Sequence, residues 1–247
     1  MSQQVRVAVF RPDDDRMADA VELLDSLGAT PVPDPMLAVE PTGATPEPGA
    51  YVVLTSKTGV ELLAESGWDP GDAALVCIGP ATADAARDAG WTVDVVPEEY
   101  TSAGLVERLR DEVAGATVEV ARSDHGSDVL VDGLRDAGAD VHETVLYRLV
   151  RPEGAGQSTV MAAGGELEGV CFSSSLTVEN FLDAAAERGV REEAVEGLNG
   201  LVVGVIGPPT RETAASHGID VDVVPENADF EELACAVVEA AAPTYHE

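Results

Sequence analysis

Lysine is almost missing from this chain. Lys57 is the only one, and 14 basic residues face 46 acidic ones for a formal net charge of −32. A field of that sign repels nucleic acid and anionic membranes, which excludes roles that depend on a basic patch. Aromatic residues are scarce too, at 4%, so the cores must be built from Val, Ala and Leu. No run approaches the ~20 apolar residues of a membrane-spanning helix. Met1-Ser2-Gln3-Gln4 leads straight into an apolar strand with no charged-then-apolar leader, and a cytoplasmic location is expected. Cysteine is limited to Cys77, Cys171 and Cys235, each in an apolar run and without metal-ligand spacing. Buried free thiols in a reducing compartment are expected, and no metal site. Signatures of a P-loop, a dinucleotide fold, a nucleophile elbow and a zinc site are all absent. The carboxylates spread evenly along the chain, which reads as adaptation to a salty milieu, where screening acts over a few ångströms. A cationic partner is not implied.

What the chain does hold is repetition. Gly79-Pro80-Ala81-Thr82 through Val95-Val96-Pro97-Glu98 returns, without a gap, as Gly207-Pro208-Pro209-Thr210 through Val223-Val224-Pro225-Glu226, at a separation of 128. Each copy reads as apolar strand, Gly-Pro-x-Thr, short alanine-rich helix, glycine, valine-rich strand and Pro-Glu. Fainter pairs complete the unit. Val5 to Phe10 and Thr117 to Ala121 read as strands, each followed by a helix ended by Gly28 or Gly138 and then by a short strand. Val52-Val53-Leu54-Thr55-Ser56 matches Val170-Cys171-Phe172-Ser173-Ser174. The repeated unit therefore has five strands alternating with helices, and apolar strands of this kind argue an α/β protein with parallel sheets covered on both faces.

The 247 residues suffice for two domains. The copies could fold as contiguous halves, or the chain could cross over twice. Proline-rich Pro33 to Pro48 and the segment Arg151-Pro152-Glu153-Gly154-Ala155-Gly156 fall at matching points of the two copies, as two crossing linkers would. They favour a contiguous domain over residues 49–149 and a discontinuous one over 1–34 plus 157–247, with 35–48 and 150–156 as linkers.

Several short motifs then stand in order: Phe10-Arg11-Pro12, Leu54-Thr55-Ser56-Lys57-Thr58-Gly59-Val60, Ile78-Gly79-Pro80-Ala81-Thr82, and Val96-Pro97-Glu98-Glu99-Tyr100-Thr101-Ser102-Ala103-Gly104-Leu105. Tyr147, Phe172-Ser173-Ser174 and Ile206-Gly207-Pro208-Pro209-Thr210 follow. In order and spacing the set resembles the uroporphyrinogen-III synthase family over essentially the whole chain. The resemblance implies two flavodoxin-like parallel-sheet domains, one discontinuous, joined by a two-stranded linker, with the active site in the cleft. It implies an enzyme that closes hydroxymethylbilane, a linear tetrapyrrole with eight carboxylates, into uroporphyrinogen III while inverting the last ring. Loss of the ring-A hydroxyl gives an azafulvene, ring D attacks through its substituted carbon, and a spiro intermediate fragments and recloses. The family needs no metal or cofactor. A monomer with a small-molecule substrate is expected, and the alternative is a non-enzymatic sensor that binds a tetrapyrrole or another polyanion.

A chain so poor in cations must hold a polyanion mostly by helix N-termini, whose free N–H groups and positive dipole ends attract carboxylates. Hydroxyl residues stand at such places: Ser56, Thr82, Thr101, Ser102, Ser174 and Thr210. Each could equally be an ordinary helix cap. Tyr147 is the candidate for chemistry, as a neutral phenol able to donate to the departing hydroxyl. Thr82 joins it as a catalytic candidate by family analogy. Arg11 and Arg122, at matching strand ends, and Lys57 are candidate carboxylate partners, with pairing to the abundant acids as the competing use. In Ser123-Asp124-His125-Gly126-Ser127-Asp128 the sequence departs from the family, which often has an arginine near Ser127. His125 reads as a loop residue.

Overall fold

The computed structural model describes residues 5–242. Met1–Gln4, expected to run directly into the first strand, lie outside the described residues. The strands are β1 (Arg6–Phe10), β2 (Thr30–Pro33), β3 (Ala38–Pro41), β4 (Tyr51–Leu54), β5 (Ala74–Cys77), β6 (Thr117–Ser123), β7 (Asp140–Val150), β8 (Gly169–Phe172) and β9 (Val202–Val205). The helices are α1 (Asp15–Ser26), α2 (Lys57–Glu65), α3 (Pro80–Asp88), α4 (Ser102–Leu109), α5 (Asp128–Asp136), α6 (Gln157–Ala163), α7 (Ser175–Glu187), α8 (Arg191–Leu198), α9 (Pro208–Ser216) and α10 (Phe230–Ala241). They divide between two compact units, Met1–Ala38 with Val150–Glu247, and Val39–Leu149.

In the first unit the sheet order is β2-β1-β8-β9, with every neighbouring pair parallel. Successive side chains of a strand point to opposite faces, and β1 shows the consequence. Ala8 and Phe10 join a cluster with Phe172, Phe181, Leu182 and Leu198, under α7 and α8. Val7 and Val9 join Met17, Leu24, Leu233 and Val237 on the other face, under α1 and α10. Both faces are dry, so the strands carry no polar alternation.

The second unit has the order β3-β7-β6-β4-β5. The pairs among β4 to β7 are parallel. Val52, Leu54, Leu75 and Cys77 face α2 and α3, while Val53, Val76, Val118 and Val120 face α4 and α5. Residues 35–48, read from sequence as a connector, include β3, which is hydrogen-bonded beside β7.

The last strand expected in each copy does not form. Val95 and Val223 make only isolated bridges, to Val76 and Gly204. The cause is the aspartate beside each: Asp94 Oδ2 takes the Leu75 amide and Asp222 Oδ2 takes the Val203 amide, both at 2.8 Å. A side-chain acceptor replaces the carbonyl that a longer ladder would have used, and Pro97 or Pro225 then ends the run. The expectation for the thiols also needs correcting at one position. Cys77 and Cys171 are buried, and burial pushes each thiol up to about 12, but Cys235 on α10 is only half-buried.

Candidate active site

At the carboxyl ends of β4, β5, β6 and β7, a pocket of about 210 Å³ opens within the second unit. Ser56, Ser102, Arg122, Ser123, Ser127 and Tyr147 line it, over an apolar base that includes Ile78 and Leu130. This edge is where open α/β sheets bind ligands, because strands end there and helices begin.

Three helices start around it, each capped by its own hydroxyl residue. Ser56 Oγ accepts the Gly59 amide at 3.0 Å, Thr101 Oγ1 the Gly104 amide at 3.0 Å, and Ser127 Oγ the Val129 amide at 3.3 Å. All three cap residues are extended, the geometry a cap requires. One cap satisfies only one of the four free amides of a first turn, so the positive ends of α2, α4 and α5 remain directed toward the pocket.

Tyr147 reaches the pocket through a bulge. The β6–β7 register pairs Arg122 with Val145 but Ser123 with Tyr147, so β7 carries one extra residue. Leu146 and Tyr147, adjacent in sequence, consequently both bury in the cluster with Leu54, Val60 and Ala121. The Tyr147 phenol donates to Ser56 Oγ at 3.0 Å, and the residue as a whole is 6% exposed.

Arg122 is the cation of this pocket, and it is already engaged. Nε and Nη2 donate to Glu143 Oε2 at 2.9 and 2.5 Å, and Nη1 donates to the Ser127 carbonyl at 2.6 Å. Gly126 makes room for it: a Cβ there would overlap Arg122 Cδ and lie 2.7 Å from Nη1. The guanidinium is pinned at both ends and cannot swing aside cheaply. Gly126→Ala is therefore expected to cost about 2 kcal/mol of stability by overpacking. For a chain of this length a thermal melt should read that as a loss of roughly 4–8 °C.

The neighbouring turn is clamped by Asp124, whose Oδ1 accepts the Leu149 amide at 3.0 Å and faces His125 Nδ1 at 2.8 Å. Partial burial pushes the Asp124 carboxyl up, but these bonds outweigh it and hold it below the ordinary carboxylate value. His125 serves this turn and does not line the pocket.

The other sequence candidates lie elsewhere. Thr82 is buried on α3 beside Ala83 and Ala86, and is not part of the pocket lining. Lys57 is exposed and pairs with Glu61 at 3.4 Å. In the first unit, Ser174 caps α7 in a reciprocal box with Thr177, and Thr210 is buried on α9. Arg11 does not mirror Arg122. Its guanidinium lies 4.4 Å above the Phe230 ring, and burial, then the nearby charge of Arg16, lower its pKa. Sequence reasoning missed Glu143 and the bulge, since neither the pairing across β6 and β7 nor a one-residue slip has a local signal. Among the described residues no cluster of His, Cys, Asp or Glu could hold a metal ion, and no helix is long and apolar enough to cross a membrane.

Two units of sheets flanked by helices, with a polar pocket at a strand-end edge of the second, define a two-domain α/β protein. The comparisons specify which. Residues 18–235 match the family model described as uroporphyrinogen-III synthase HemD. A Methanothermobacter thermautotrophicus protein, provisionally named as a uroporphyrinogen-III synthase, is 33% identical over 94% of this chain and 96% of its own. A uroporphyrinogen III synthase structure from Thermus thermophilus superposes with a TM-score of 0.71 at 21% identity, covering 96% of this chain and 98% of that one. One from Helicobacter pylori gives 0.63 at 15%, covering 98% and 100%. The chain belongs to the uroporphyrinogen-III synthase family, a family of enzymes.

Proposed function

We propose that the protein is a uroporphyrinogen-III synthase, a cyclising hydro-lyase that closes hydroxymethylbilane with inversion of ring D, acting as a cytoplasmic monomer. The observation that carries this beyond family membership is the Tyr147–Ser56 pair, set among three helix N-termini at a strand-end pocket. A ring-A hydroxymethyl group needs a proton donor to leave as water, and a phenol hydrogen-bonded to a serine can supply one. The carboxylate arms beside it need positive potential without many cations, which the starts of α2, α4 and α5 provide.

Ser56, Ser102 and Arg122 are the substrate contacts this reading favours, with Thr101 acting through the start of α4. The pocket falls below the roughly 300 Å³ at which ligand sites usually begin, so it accommodates one end of the linear substrate and not four rings. Much of the catalysis must then be positional. Free hydroxymethylbilane can close without inversion, and holding the substituted carbon of ring D against the azafulvene decides the product. Orientation of this kind supplies several kcal/mol with few reacting groups.

The test is incubation with freshly prepared hydroxymethylbilane, oxidation, and chromatographic separation of the uroporphyrin isomers. Type III is expected as the main isomer, formed well above the blank rate. Type I alone, at the blank rate, would leave a binding or sensing role instead.

A further inference from the structure

The bond count at Ser56 decides which hydroxyl faces the substrate. A serine oxygen can accept two hydrogen bonds and donate one. Ser56 Oγ accepts the Gly59 amide and the Tyr147 phenol, both at 3.0 Å. Both lone pairs are taken, and among the described residues Ser56 Oγ donates to no acceptor. Its own hydrogen is thus the one left for the pocket, whereas the phenol hydrogen is spent on Ser56. The direction of the pair follows from acidity, since a phenol is a stronger acid than an alkanol and is the better donor. Ser56 also stands at the N-terminal end of α2, whose dipole stabilises negative charge developing on its oxygen.

We propose that Ser56 is the catalytic residue that delivers the proton to the leaving hydroxyl and that Tyr147 replenishes it, as a concerted two-proton relay. This rests on the synthase reading above. As the ring-A carbon–oxygen bond breaks, its electron pair leaves with oxygen, which takes the Ser56 proton and departs as water. Ser56 takes the Tyr147 proton in the same event. The products are a cationic azafulvene, stabilised by the pyrrole nitrogen, and a phenolate. When ring closure is complete, the cationic ring loses one proton to recover aromaticity. Tyr147 regains it through Ser56, and the protein returns to its starting state.

The test compares Ser56→Gly, Ser56→Thr, Tyr147→Phe and the double variant Ser56→Gly/Tyr147→Phe in single-turnover assays with hydroxymethylbilane. Glycine replaces serine at a helix cap for only a few tenths of a kcal/mol, so a purely structural Ser56 predicts a near-normal Ser56→Gly. The relay predicts a fall of at least about 100-fold in the rate of the chemical step for Ser56→Gly. It also predicts recovery to within about tenfold in Ser56→Thr, which keeps the hydroxyl. Residues that act as one unit are non-additive, so the double variant should be about as slow as Ser56→Gly. In the unmodified protein, two protons in flight should bow the plot of single-turnover rate against deuterium fraction. A Ser56→Gly rate within about threefold of wild type, an equally inactive Ser56→Thr, multiplied losses in the double variant, or a straight plot would each overturn the relay. If the unmodified protein makes no type III isomer, the synthase reading fails first. An active wild type beside an active Ser56→Gly sinks the relay alone.

Discussion

Tyr147→Phe is expected to lower turnover of hydroxymethylbilane about 100-fold, within the range that a positioned proton donor contributes, while the protein stays folded. The two effects separate because the ring and the hydroxyl do different work. The ring belongs to the cluster with Leu54, Val60, Ala121 and Leu146, and phenylalanine fills the same space. Only the bond to Ser56 Oγ is lost. A net hydrogen bond is worth about 1 kcal/mol, which for a chain of this length is a fall of roughly 2–4 °C in melting temperature. KM should change little if the phenol acts in the transition state and not in ground-state binding. Turnover within about threefold of wild type would remove Tyr147 from the chemistry, whatever the melt showed.

That prediction could be written from the sequence; the reason for the position of Tyr147 could not. The α/β class followed from apolar strands alternating with helices, because strand burial on both faces leaves a continuous hydrophobic run. Ser56, Thr101 and Ser174 were legible as residues at helix starts, because a cap is a local device and the hydroxyl residue precedes the helix it caps. The structure gives each of them a cap bond, and brings Ser56 and Ser102 to one pocket with Tyr147 and Arg122.

What stayed hidden involves residues distant in sequence. The bulge that turns Tyr147 toward Ser56 depends on register between β6 and β7. Arg122 looked like its repeat partner Arg11, yet one is held by Glu143 on the next strand and the other lies over Phe230. Equal positions in a repeat do not guarantee equal partners, since the neighbours that decide them come from outside the repeated stretch. Glu119 and Thr144 make the same point inside the sheet. An acid in mid-strand reads as solvent-facing, but Glu119 is 2% exposed and accepts the Thr144 hydroxyl from the adjacent strand. The strands expected around Val95 and Val223 failed for the converse reason: Asp94 and Asp222 supply a local acceptor that strand propensity does not anticipate.

The largest stability effect is expected at a residue that drew no attention in the sequence. Asp34 is 4% exposed and accepts the Gly156 amide at 2.7 Å, the Ser158 amide at 2.8 Å and the Ser158 hydroxyl. These donors form the start of α6. Its cap residue, Gly156, sits at φ 103 and has no side chain with which to cap anything. Gly156 cannot be exchanged for a capping residue, because a Cβ would lie 2.6 Å from the Ala184 Cβ. The helix therefore takes its cap from a residue 122 positions earlier in the chain, and the carboxylate also meets the positive end of the α6 dipole. Asp34→Ala would strand two amides and a hydroxyl in a buried place, each at about 1–3 kcal/mol before relaxation and water entry. A net loss of about 4 kcal/mol is expected, among the larger effects of single substitutions. A thermal melt should fall by roughly 8–16 °C. Asp34→Asn keeps one acceptor oxygen but sets an amide NH₂ against a donor, so it should recover only part of the loss. A melting temperature within about 2 °C of wild type for Asp34→Ala would mean that water replaces the carboxylate without penalty, and that α6 does not depend on a cap from the distant end of β2.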